Sequence, residues 1–107
     1  MYPIEYINMF LIKKTVEFDK WLRKIKDIRA KAKILIRIQK LENDEHFGDC
    51  ESVGDGIREL KINLAKGYRV YFKEQDGKII ILLIGGDKSM QQQDIEKAKE
   101  ILNLLNL

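Results

Sequence analysis

The sequence predicts an α+β domain of order β-α-α-β-β-β-α, with a small, mostly antiparallel sheet, a helical hairpin near the start and a helix at the end. Three observations predict it. Two segments with apolar residues three or four apart follow a short β-branched run. Three strand-like runs then come in close order, separated by turns of two or three residues. A final segment returns to the helical period.

Glu5–Ile12 is rich in β-branched and aromatic residues and is bounded by Pro3 and Lys13-Lys14, which reads as a strand. Thr15 then caps a helix whose residues Phe18, Trp21, Leu22, Ile25 and Ile28 share one face. Ala30, Ile34, Ile38 and Leu41 repeat the pattern up to about Glu42, and the short join at Asp27–Arg29 folds the two helices into an antiparallel hairpin. Asn43–Asp55 is polar and aperiodic, so it reads as a loop. Ile57–Leu64, Tyr68–Lys73 and Lys78–Ile84 form a hairpin meander through Lys66-Gly67 and Gln75-Asp76-Gly77. The last of these runs is apolar on both faces and is expected at the centre of the sheet. Ser89-Met90-Gln91-Gln92 fits a capping box, followed by the stripe Ile95, Ala98, Leu102 and Leu105, broadened by Ile101 and Leu104.

Length and composition bound the functions open to this chain. Its 107 residues suit one domain, expected to span 1–107. Cys50 is the only cysteine, which excludes an intrachain disulfide and a Cys-based zinc site and suits a reducing compartment. The longest apolar run, Ile79–Ile84, is far below the roughly 18–20 residues that cross a bilayer, and Met1–Glu5 carries no secretory signal. No membrane association is expected, and the cytoplasm is the expected address.

The net charge of +3 is mild, but it is unevenly spread. Lys13–Lys40 holds eleven Lys/Arg against three acids, whereas Leu41–Glu59 holds seven acids against Arg58 alone. The chain is a charge dipole.

Strand alternation sorts the chemistry-bearing residues into faces. Leu60, Ile62, Val70 and Phe72 are expected in the core. Glu59, Lys61, Asn63, Arg69, Tyr71 and Lys73 then look out from the opposite, open face. Lys88, just ahead of the last helix, joins Lys61 and Arg69 near a helix N-terminus that favours anions. Such a set makes either a phosphate clamp with Tyr71 as a stacking surface or an ordinary solvated sheet face. The basic hairpin, through Lys33, Arg37 and their neighbours, suits a nucleic-acid backbone, an acidic partner or plain solvation alike. His46 is the only histidine, so neither a Ser/His/Asp set nor a metal cluster can be assembled around it. Gly85-Gly86-Asp87-Lys88-Ser89 ends like a P-loop without its spacing, which leaves nucleotide hydrolysis unsupported.

The segments Glu59-Leu60-Lys61-Ile62, Gly67-Tyr68-Arg69-Val70-Tyr71-Phe72, Leu82-Leu83-Ile84-Gly85-Gly86-Asp87-Lys88-Ser89 and Gln92-Gln93-Asp94-Ile95 closely resemble the addiction-module killer proteins of the RelE/ParE toxin superfamily, in its HigB-like branch. Phe18, Trp21-Leu22, Ala30, Arg37-Ile38, Gly48-Asp49 and Gly56 extend the match upstream. The resemblance implies a RelE-like fold and the toxin of a type II toxin–antitoxin module. It implies a helix-turn-helix antitoxin, HigA-like, as partner, with a toxin–antitoxin heterotetramer as one assembly. RelE-like members cut mRNA on the ribosome without metal or other cofactor, the ribose 2′-OH attacking the adjacent phosphate.

By that resemblance Arg69 is the phosphate-binding arginine, Lys61 the basic strand residue and Lys88 the basic residue after the last strand. Tyr71, Lys73, Arg37 and Lys33 are the expected RNA contacts. The family's Tyr or His near the last helix is replaced by Gln91-Gln92-Gln93-Asp94, leaving Asp94 or Lys61 for proton transfer. The alternative is a ParE-like inhibitor of DNA gyrase that cuts no RNA, since the scaffold alone does not decide function.

Overall fold

The computed structural model describes residues 11–43, 50–64 and 66–107. Along the chain run β1 (Leu11–Lys14), α1 (Val16–Lys24), α2 (Ile28–Asn43), β2 (Cys50–Gly54), β3 (Ile57–Ile62), β4 (Tyr68–Gln75), β5 (Ile79–Gly86) and α3 (Gln91–Leu105), with a 3-10 turn at Lys88–Met90 ahead of α3. The strands form one five-stranded sheet in the order β1-β5-β4-β3-β2. β1 runs parallel to β5, and every other pair is antiparallel. Mixed α+β architecture agrees with the sequence reading; the apolar β5 is an interior strand covered on both faces, but the centre of the sheet is β4. Among the described residues no helix is long and apolar enough to cross a membrane.

Two elements differ from expectation. The segment read as a loop ends in β2, which pairs with β3 through Cys50↔Leu60 and Glu51↔Glu59. Asp55 and Gly56 take φ of 56° and 77°, the paired positive values of a tight hairpin turn, and Asp76-Gly77 repeats this between β4 and β5 with 56° and 65°. The first strand is described over Leu11–Lys14, so it runs through the lysine pair expected to end it; Glu5–Phe10 and His46 lie outside the described residues.

Helix ends follow local chemistry. The Thr15 hydroxyl accepts from Phe18 N at 3.0 Å and donates to the Leu83 carbonyl at 2.7 Å, which caps α1 and ties it to β5 together. Asp27 accepts from Arg29 N and Ala30 N at 3.0 and 3.3 Å and starts α2. Ile28 therefore opens the second helix instead of closing the first. The expected Ser89 capping box does not form: Asp87 caps the 3-10 turn, accepting from Ser89 N at 2.9 Å, and α3 starts at Gln91 behind Met90 with no side-chain cap.

Each face of the sheet carries its own apolar cluster. α1 and α2 supply Phe18, Ala30, Ile34, Ile38 and Leu41 to one, against Leu60, Ile62, Val70, Phe72, Ile80 and Leu82. α3 supplies Ala98 and Ile101 to the other, against Ile57, Tyr71, Ile81 and Leu83. A register shift opposite Tyr71/Phe72 leaves Leu83 unpaired with β4. Such a bulge puts two successive side chains on one side, and Leu83 and Ile84 both join the α3 cluster. Beyond it parity is reversed, so Gly85 lies under the Trp21 ring and Gly86 under Asp94 of α3.

Candidate functional site

The α3 face of the sheet is not open, and this changes the expected site. Glu59 and Tyr71, directly opposite each other on β3 and β4, are both 0% exposed. The Tyr71 ring belongs to the α3 cluster, which corrects its expected role as an exposed stacking surface. The α3 stripe needs a sheet face to cover, and it takes this one.

Glu59 is the centre of the arrangement. Its carboxylate accepts from Arg69 Nη1 at 2.8 Å, from Tyr71 Oη at 3.0 Å and from Gln91 Nε2 at 2.8 Å. A buried carboxylate survives only when paired and hydrogen-bonded, and here two donors from β4 and one from α3 meet that need. Burial first, then the bond to Glu59, push the Tyr71 phenol far above its ordinary range, so it stays protonated and donating. Arg69 is itself largely covered, and its Nε is buried with no hydrogen-bond partner among the described residues.

Register brings the expected cations together in part. Lys61 and Arg69 are direct cross-strand partners, and Arg69 faces Gly86 on its other side. Lys61 Nζ reaches Glu51 Oε1 at 2.8 Å, an exposed contact that lowers the Glu51 pKa mainly through the hydrogen bond. Asp94 hangs over Gly86, the strand partner of Arg69. Its Oδ2 is buried with no hydrogen-bond partner among the described residues, and desolvation, then the charge of Asp87, raise its pKa above the ordinary aspartate value. Lys61, Arg69 and Asp94 therefore gather at one end of the α3 face.

The other expected contacts are more dispersed. Lys88 lines a separate open hollow with Lys66, Asp87 and Ser89, beside the β3–β4 turn. Lys73 lies four residues along β4 from Arg69, roughly 13 Å away at strand rise. It stands beside Gly56, with Asp55, Leu102 and Asn103 around it. Lys33 and Arg37 belong to α2, whose buried residues lie on the opposite face of the sheet; Lys33 Nζ does reach back to the Asn63 carbonyl at 2.9 Å, at the end of β3. Glu59 and Gln91 are absent from the expected set. The pairing of Glu59 opposite Tyr71, in a strand face that also carries Ile57, was the signal for a covered carboxylate.

A mixed five-stranded sheet with two helices on one face and one on the other is the fold of the RelE-type toxins. A doubly substituted mutant of the E. coli toxin RelE, solved in the free state, superposes with a TM-score of 0.66 over 87% of this chain and 98% of its own, at 16% identity. The conserved hypothetical protein HP0894 of Helicobacter pylori, solved in solution, gives 0.54 over 76% of this chain and 97% of its own, at 19% identity. At the level of sequence the chain belongs to the phage-derived Gp49-like family (DUF891), whose model matches residues 20–105. An uncharacterized protein of Haemophilus influenzae strain Rd is 54% identical over 96 residues, covering 90% of this chain and 96% of that protein.

Proposed function

We propose that the chain is the toxin of a toxin–antitoxin pair and acts as a metal-independent mRNA endoribonuclease. One observation supports this most: Lys61 and Arg69 sit side by side across β3 and β4, with the raised-pKa carboxyl of Asp94 over the next strand. In the reaction the ribose 2′-OH gives its proton to solvent water and attacks the adjacent phosphorus, forming a 2′,3′-cyclic phosphate as the bond to the 5′-oxygen of the next nucleotide breaks. Lys61 and the part of Arg69 not held by Glu59 stabilise the charge gathering on the phosphate. Asp94, whose pKa is raised by burial and then by the charge of Asp87, gives its proton to the departing 5′-oxygen. Lys88 adds positive charge from the neighbouring turn. The RelE likeness in fold supports translating mRNA on the ribosome as the substrate, and a helix-turn-helix antitoxin of HigA type as the neutralising partner.

Arg69→Ala is a poor probe, because it strands the Glu59 carboxylate in the core. Lys61→Gln and Asp94→Asn are better, since neither side chain holds the fold together. Each is expected to keep the native circular-dichroism spectrum and to lose at least ~100-fold in cleavage when mRNA ends are mapped after induction, with and without translation. Growth arrest and cleavage undiminished in both variants would refute the site.

A second reading has its own support. Lys61 and Arg69 are each already engaged by a carboxylate, Glu51 and Glu59, which suits a scaffold that binds gyrase and cuts nothing. Purified protein that blocks supercoiling while leaving RNA intact would establish it.

A further inference from the structure

α2 has two apolar faces, and only one of them is used by the fold. Ala30, Ile34, Ile38 and Leu41 point into the core. Ile28, Leu35 and Ile36 are 83%, 46% and 53% exposed, with Ala32 also exposed between them. At roughly 100° per residue, residues 28, 32, 35 and 36 fall in one stripe, about 200° from the buried one and about 12 Å long. Among the described residues this outward stripe belongs to neither apolar cluster, so the packing of the core does not account for it.

Charge says what suits it. Arg29, Lys33 and Lys40 follow one edge of the stripe and Lys31 the other, and no acidic residue occupies the first turn of α2. A second copy of the chain would set these cations against their own kind. A nucleic-acid backbone would satisfy the cations but leave Leu35 and Ile36 wet. A helix of another protein with an apolar seam and Asp or Glu on its flanks satisfies both features at once, by the spacing through which amphipathic helices dock. We propose that the outer face of α2 is a docking surface for an acidic amphipathic helix of a partner protein. It lies across the sheet from Lys61, Arg69 and Asp94, so it can be occupied with that site open, and it stands or falls independently of the nuclease reading.

The test uses the full chain and two synthetic helical peptides with the same leucine seam, one flanked by Glu and one by Lys. Binding is followed by fluorescence anisotropy at two salt concentrations. The Glu-flanked peptide is expected to bind at least tenfold more tightly than the Lys-flanked one, and more weakly at high salt. Leu35→Gln/Ile36→Gln is expected to cost at least tenfold in that affinity while the thermal midpoint stays within a few degrees, because both side chains are about half exposed and lie outside the core clusters. Equal binding of the two peptides, no binding of either, or indifference to the double substitution would overturn the proposal. So would anionic phosphatidylserine vesicles, a single-stranded RNA oligonucleotide or self-association in sedimentation equilibrium, if one of these proved to be the interaction that the double substitution abolishes.

Discussion

The two faces of the sheet are built from opposite materials. Beneath α1 and α2 the contacts are almost wholly apolar; Thr15, buried there, spends its hydroxyl on a cap and a strand carbonyl, and Arg37 of α2 has a buried Nη2 with no partner among the described residues. Beneath α3 a smaller apolar patch gives way, toward the start of the helix, to a buried carboxylate with three donors. The first face holds the domain together by close, non-directional apolar packing. The second depends on every donor being present, since a partly satisfied buried network is worse than none.

The largest effects should expose that difference. Phe72→Ala on the first face and Glu59→Ala on the second should each cost about 3–5 kcal/mol in urea unfolding, one by leaving a cavity and the other by leaving the Arg69 charge buried and unpaired. A second substitution separates the causes. Combining Glu59→Leu with Arg69→Met should recover a large part of the loss, because an apolar pair has no charge to strand. No apolar partner change should rescue Phe72→Ala in this way.

The adjacent glycines give a sharper version of the same comparison. A methyl at Gly85 would strike the face of the Trp21 ring, whereas one at Gly86 would strike only the end of the Asp94 side chain. Gly85→Ala should therefore cost about 1–3 kcal/mol by overpacking. Gly86→Ala should leave the unfolding midpoint nearly unchanged and lower RNA cleavage by displacing the carboxyl.

Asp94 also makes the second face respond to pH. Its folded pKa lies above the ordinary 3.8. The neutral acid is thus favoured by the fold, and its contribution is present at low pH and lost as pH rises through the raised value. Asp94→Asn should accordingly flatten the stability profile in that window and gain at neutral pH relative to the parent, as measured by unfolding at a series of pH values. The smallest effect belongs to the exposed pair of Lys61 and Glu51: Glu51→Gln should change stability by less than about 1 kcal/mol, and less still in high salt.

Local patterns in the sequence were enough for the helices, the meander and the interior, doubly covered place of β5, because each rests on near neighbours. The cap at Thr15 and the alternation of Leu60, Ile62, Val70 and Phe72 toward the α1–α2 face were readable for the same reason. β2 was missed although Asp55-Gly56 announced a hairpin, since Cys50–Gly54 has only one strong strand former in Val53. For the site, the cross-strand meeting of Lys61 and Arg69 followed from alternation. The cover did not, because alternation says which side chains share a face and not which helix lies over it. Glu59 and Tyr71 were read as outward for that reason. The bulge that turns Gly86 toward Asp94 leaves no local trace in Leu82-Leu83-Ile84.

The parallel pairing of β1 with β5 bears on how the chain comes into being. The Thr15 hydroxyl waits for a carbonyl 68 positions later, and Glu59 waits for Gln91, a further eight beyond Leu83. Closure of the sheet is thus a long-range event, of the kind that makes folding slow. A nascent polypeptide stalled before residue 91 has Arg69 but neither the helix that seals it in nor Asp94, so translation must pass through α3 before the finished arrangement exists.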